Sequence, residues 1–254
     1  MKRFTLLATS AWTAAFLAVL LIQIPAIAQQ GKLEVVQVHS KGLECNLLDD
    51  SPTRNVTVYL PHEYGTKPDK RYPVVYLLHG YSGKNSLWTG GGYVENLSIG
   101  AIADKLIASG KMQPMILVAP DCHNRYRGSW YTNSPVTGNW EDFVTKDLVQ
   151  YIDKNYRTIS KRVSRGIAGH SMGGHGAIKI AMKHPDLFCA LYAMSPAWVA
   201  FEEVFKVPLA APIVEAVEAD TWPDFPKIHW RGQACIALAA AVAPDAKHDP
   251  FLGR

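Results

Sequence analysis

Hydrophobic and polar positions recur along this 254-residue chain with two periods, one of two residues and one helical, and segments of the two kinds follow each other in turn. Residues 33–39 and 56–60 read as early antiparallel strands. Residues 74–78, Val-Val-Tyr-Leu-Leu, and residues 115–119 are continuous short apolar runs, as expected of strands buried on both faces. Helical periods appear over 97–107 and 143–152. Residues 162–168 alternate and then turn apolar, residues 174–184 are helical and closed by Pro185, and 187–193 reads as one more strand before Ser195-Pro196. Strands alternating with helices predict an α/β fold: a mostly parallel sheet with helices on both faces and its chemistry at the carboxyl ends of the strands. His79-Gly80, Asp121, Ser171 and Ser195 all fall at such ends.

The first residues bear on compartment. Lys2 and Arg3 precede an apolar stretch over 6–24, and Ala26-Ile27-Ala28 offers a small-x-small cleavage site before Gln29. Residues 1–28 are therefore expected to be a secretory signal, leaving 29–254 as one domain in the periplasm or outside the cell, with no stable membrane anchor after cleavage. The alternative is an uncleaved anchor, since the stretch is near the lower length for a span; Pro25 and the cleavage site argue against it. Removing Lys2 and Arg3 takes the formal charge from +4 to +2, too small an excess to argue for nucleic acid or an anionic membrane as partner. Cys45, Cys122, Cys189 and Cys235 lie far apart without a C-x-x-C spacing, so no metal is expected. One or two disulfides suit an oxidising compartment, and Cys189, in an apolar run, reads as a buried thiol.

Chemistry enters at Gly169-His170-Ser171-Met172-Gly173. A G-x-S-x-G pentapeptide between a strand and a helix is the pattern of a nucleophile elbow. The turn is so tight that a Cβ at either glycine would meet backbone, and the turn lifts Ser171 Oγ clear of the chain. The following helix start presents N–H dipoles to a nearby oxyanion. Acyl transfer by serine also needs a base, an acid to orient it, and donors for the tetrahedral oxyanion. One donor is expected to be the N–H of Met172, the residue after the nucleophile, and the other the N–H of Tyr81 in the turn after the 74–78 strand. His79 and His170 read as structural hydrogen-bonding residues, because the order in such folds is serine, acid, histidine.

From about residue 54 to 198 the chain resembles the putative-esterase family of α/β-hydrolases, which includes esterase D (S-formylglutathione hydrolase), feruloyl-esterase-like domains and mycolyltransferases. The resemblance lies in Tyr72-Pro73-Val74-Val75-Tyr76-Leu77-Leu78-His79-Gly80, Ser129-Trp130-Tyr131-Thr132-Asn133-Ser134, Gly169-His170-Ser171-Met172-Gly173-Gly174-His175-Gly176-Ala177 and Ser195-Pro196. It implies an esterase-type serine hydrolase, with Ser171 as nucleophile and the N–H groups of Tyr81 and Met172 as the oxyanion hole; with the leading segment, the expectation is a secreted or periplasmic esterase acting on a small-molecule ester without metal or cofactor. It also implies that Trp130 and Tyr131 line the substrate cleft.

The pattern departs in the C-terminal third. The fold needs a further strand with Asp or Glu, another strand and a His-bearing loop, yet only 59 residues run from Pro196 to Arg254. Residues 201–218 read as a helix interrupted by Pro208 and Pro212, 221–228 as a Trp/Pro-rich loop, 234–242 as a strand or, on its alanines, a helix, and 244–254 as polar loop. Among later histidines, His175 and His184 belong to the elbow helix, His229 to the loop, and His248 sits three residues after Asp245 with no strand between. The expectation is that the chain ends before its acid and base. Two alternatives stand beside the hydrolase: an acyltransferase of the same fold, in which an alcohol replaces water, and a catalytically impaired binding protein that keeps only the pocket.

Overall fold

A computed structural model of the protein describes residues 30–90, 98–197, 214–216, 218 and 221–248. The expected signal segment, and all of the expected helix over 201–218 apart from four residues near its end, lie outside them. Eight-residue strands β1 (Lys32–His39) and β2 (Thr53–Leu60) pair antiparallel in the register Val36↔Val56, as the alternating pattern predicts. A short helix, α1 (Glu63–Thr66), leads to β3 (Val74–Leu78). Then come α2 (Ile99–Ala108), β4 (Ile116–Pro120) and a two-rung hairpin of β5 (Asn133–Ser134) and β6 (Gly138–Asn139). Helices α3 (Trp140–Asp142) and α4 (Val149–Asn155) follow, joined by a π-helical stretch over Phe143–Leu148. Strand β7 (Arg165–His170), helix α5 (Met172–Lys183), strand β8 (Ala190–Met194) and helix α6 (Trp230–Val242) complete the order.

The main sheet of the described residues runs β1-β2-β4-β3-β7-β8, antiparallel as far as the β2–β4 pair and parallel from β4 to β8. Its strands divide their side chains between two layers. Val58, Tyr76, Leu78 and Ile167 enter the larger core with Trp140, Phe143, Leu148, Ala177 and Ile180. Tyr59, Leu77, Leu117 and Ala168 face the other way, toward Trp88 and Ala103 of the α2 side. Period-two alternation produces this division, and it places helices on both faces.

Several boundaries move. Residues Arg162–Ser164 form a turn, so β7 starts at Arg165. Leu187 to Cys189 precede β8, whose pairing begins at Ala190↔Gly166. Cys189 is exposed, against the expectation of a buried thiol, because it enters the outermost strand of the described sheet, where Leu191 and Tyr192 are also 44% and 66% exposed. All four cysteines are free thiols. The alanine-rich run is helical. Small residues let α6 lie close to the chain before it, with Ser134 Oγ donating to Ala240 O at 2.9 Å and Arg127 Nη1 to Gln233 Oε1 at 2.8 Å.

Candidate active site

Parallel strands β3 and β7 are neighbours with Leu78 opposite Gly169, so the turns that leave their carboxyl ends lie side by side. One turn is 79–82 and the other is the elbow. Ser171 has φ 56° and ψ −117°, a backbone state that L-residues rarely hold without support. Its N–H donates to Met194 O at 2.9 Å, and its carbonyl accepts from His175 N and Ala197 N, each at 3.0 Å. The flanking glycines are required by close approach: a Cβ on Gly169 would stand 2.2 Å from Gly173 O, and one on Gly173 2.2 Å from Leu78 O. A Cβ on Gly80 would lie 3.4 Å from Ser171 Cβ, which puts the 79–82 turn directly beside Ser171.

Within that turn His79 is fully buried. Its Nδ1–H donates to Gly80 O at 2.9 Å and its Nε2 accepts from Cys122 N at 2.9 Å, so one neutral tautomer meets both partners. Burial also pushes the imidazole below its ordinary pKa. His79 is thus structural, as expected, and it stitches the ends of β3 and β4 together. Tyr81 is buried, with its phenol donating to Tyr126 O at 2.9 Å. Met172 is buried and opens α5, so its N–H belongs to a first turn that has no carbonyl one turn earlier to bond. The two expected oxyanion donors are therefore on adjacent backbone segments flanking Ser171.

Trp130 and Tyr131 are both buried, at 1% and 0% exposure, and both have positive φ, 51° and 52°. The Tyr131 phenol donates to His79 O at 2.7 Å, and the Trp130 ring meets the His175 ring edge-on with centroids 5.5 Å apart. In this structure they brace the 79–82 turn and the helix that follows Ser171. Sequence reasoning missed Lys179, whose Nζ donates to Tyr131 O at 2.6 Å and Thr132 Oγ1 at 2.5 Å. A lysine on an amphipathic helix carries no sequence signal for such a contact.

The later histidines are engaged elsewhere. His175 Nδ1 bonds Ala197 O at 3.2 Å, and burial lowers the ring's pKa. His184 Nε2 meets Glu141 Oε1 at 2.9 Å. His229 caps α6 by accepting from Arg231 N, and His248 pairs with Asp245 at 2.6 Å while its side chain stays 74% exposed. Among the described residues no group of three or more His, Cys, Asp or Glu is placed to hold a metal ion, and no helix is long and apolar enough to cross a membrane.

Comparison with known proteins agrees with this geometry. Residues 51–230 match the model of the family described as "Putative esterase". Over 140 residues the chain is 35% identical to an esterase of Mycobacterium tuberculosis, covering 53% of this chain and 27% of that protein. It is 34% identical, also over 140 residues, to an endo-1,4-beta-xylanase/feruloyl esterase of Xylanibacter ruminicola, covering 53% of this chain and 18% of the other. A solved ferulic acid esterase superposes with a TM-score of 0.55 at 36% identity, over 66% of this chain and 58% of its own. The chain thus spans about a quarter or less of the curated relatives it matches.

Proposed function

Because this chain belongs to the putative-esterase family of α/β-hydrolases, we propose that it is a serine esterase that cleaves carboxylic esters of small molecules through an acyl-enzyme on Ser171. The observation that carries the reading is Ser171 itself, held at φ 56° between β7 and α5 with the 79–82 turn beside it. In the first half-reaction Ser171 Oγ bonds to the ester carbonyl carbon, its proton passes to a general base other than His175, His184, His229 and His248, which are engaged elsewhere, and the carbonyl oxygen takes up negative charge. The N–H groups of Tyr81 and Met172 receive that oxyanion. Collapse expels the alcohol with a proton and leaves the acyl group on Oγ, and water then releases the acid. Hydroxycinnamoyl esters are the first substrates to offer, since two of the relatives carry ferulic or feruloyl esterase names. The basic and apolar start of the chain supports export to the periplasm or beyond; N-terminal sequencing of the exported protein, with Gln29 expected first, tests this.

The esterase reading is tested with the full chain, a fluorophosphonate probe and a short-chain p-nitrophenyl ester. The probe is expected on Ser171, and Ser171→Ala is expected to lower kcat by roughly 10³ or more with little change in KM, because the nucleophile acts in the chemical step. Hydrolysis that survives the substitution overturns the proposal.

A further inference from the structure

The turn that carries Tyr81 is suspended from the segment 126–132. Ser82 N–H donates to Arg127 O at 2.8 Å, Tyr81 Oη to Tyr126 O at 2.9 Å, and Tyr131 Oη to His79 O at 2.7 Å. That segment is itself poorly stable as a free chain, since Arg127, Trp130 and Tyr131 all have positive φ, at 68°, 51° and 52°. Something outside it must fix it.

The anchor is on α5. Eight residues after the nucleophile, Lys179 Nζ reaches Tyr131 O at 2.6 Å, Thr132 Oγ1 at 2.5 Å and Trp130 O at 3.4 Å. Its side chain is only 22% exposed. Closer to the nucleophile the same helix touches Tyr131 a second time: a Cβ on Gly176 would stand 2.4 Å from Tyr131 Cδ2. The charges around the ammonium come from two elements. Glu141 on α3 approaches to 3.6 Å and is shared with Lys183 and His184, while Lys183 and His175 lie on α5 itself.

We propose that Lys179 is a positioning residue of this site: it locks the 130–132 arc to the nucleophile's own helix and thereby sets where the Tyr81 N–H stands relative to Ser171. The proposal rests on the esterase reading for its catalytic consequence but not for its mechanical one. Charge-assisted donors to carbonyls are roughly twice as strong as neutral ones, so the hold depends on the protonated amine. Burial pushes Lys179 down to about 8, with Glu141 drawing it up and Lys183 driving it further down. The anchor should therefore weaken as pH rises through that value.

The test uses the full chain as wild type, Lys179→Arg, Lys179→Met and Ser171→Ala. Backbone amide shifts of Tyr81 and Ser82 are followed by NMR from pH 6 to 10, and kcat and KM for a short-chain p-nitrophenyl ester are measured over the same range. In wild type both amides are expected to titrate with a midpoint near 8. That step is expected to vanish in Lys179→Arg, because a guanidinium stays charged throughout the range. Lys179→Met is expected to lower kcat roughly 10- to 100-fold with KM within about twofold, and the arginine variant to recover part of the loss, since oxyanion donors act on the transition state. Amides that do not respond in wild type, or that respond identically in Lys179→Arg, overturn the proposal, as does wild-type kcat in a folded Lys179→Met. Should wild type hydrolyse nothing beyond Ser171→Ala, the esterase reading fails separately, and the amide titration still decides whether Lys179 holds the turn. Should the methionine variant not fold, the comparison of wild type with the arginine variant decides it.

Discussion

Gly173→Ala is a one-carbon perturbation whose cost follows from the backbone packed around that position. The new Cβ would stand 2.2 Å from Leu78 O, 2.5 Å from Leu78 C and 2.7 Å from His79 O, where ordinary van der Waals contact begins at 3.4 Å. The end of β3 and the first turn of α5 must therefore separate by roughly 1 Å, and neither can yield as a flexible side chain would. Overpacking of this kind costs about 1–3 kcal/mol, and with backbone on both sides the upper figure applies. For a domain of this size, about 3 kcal/mol corresponds to a Tm lower by roughly 6–12 °C. The displacement falls between Ser171 and the turn that faces it, and about 1 Å of misplacement at a reacting group costs about 10² in rate. Thermal unfolding and the rate of fluorophosphonate labelling at Ser171 measure the two effects. Gly65→Ala is the control, because a Cβ there meets nothing within 4 Å. A Gly173→Ala protein that melts within about 2 °C of wild type and labels at the wild-type rate would refute the requirement for glycine at this turn.

Asp50 is held by burial up to about 6, above its ordinary 3.8. Between those values the folded protein keeps a proton that the unfolded chain has released, so Asp50 lowers stability as pH rises from 3.8 to 6. Asp50→Asn is expected to raise Tm at pH 7–8, with the gain closing below about pH 4; an offset that is equal at every pH would contradict this. Arg165 and Asp153 form an ion pair of 2.6 Å at the start of β7, with their side chains 7% and 20% exposed. Arg165→Met leaves that carboxylate without its cation and is expected to cost on the order of 3 kcal/mol. Asp153→Asn in the same chain should return part of it in urea unfolding, and a single variant as stable as wild type would count against the pair's importance.

The strands and the elbow were legible because period-two alternation and a G-x-S-x-G pattern between strand and helix are local signals. Val74–Leu78 and the run ending at Ser171 needed nothing else. Cys189 was misread because an apolar run does not say which strand lies at the sheet edge; that depends on strand order, which emerges only when the chain is assembled. Trp130 and Tyr131 were assigned to the site from resemblance, but their positive φ and burial against His175 and His79 follow from contacts some 45 to 52 residues away in sequence. Lys179 is the limiting case. Nothing at 175–183 hints that its ammonium reaches carbonyls 48 and 49 positions upstream.

Positive φ recurs around one spot, at Ser82, Arg127, Trp130, Tyr131, Ser171 and Ser195. Each such residue costs on the order of 1 kcal/mol or more, and the sum approaches the whole stability of an ordinary domain, about 5–15 kcal/mol. The remainder of the fold must carry that load, so thermostability and reactivity pull in opposite directions at the same few positions. Glycine would relax Ser171, at φ 56° and ψ −117°, and stabilise the protein while removing its hydroxyl. A screen that rewarded heat resistance alone would erase the site before it touched the sheet.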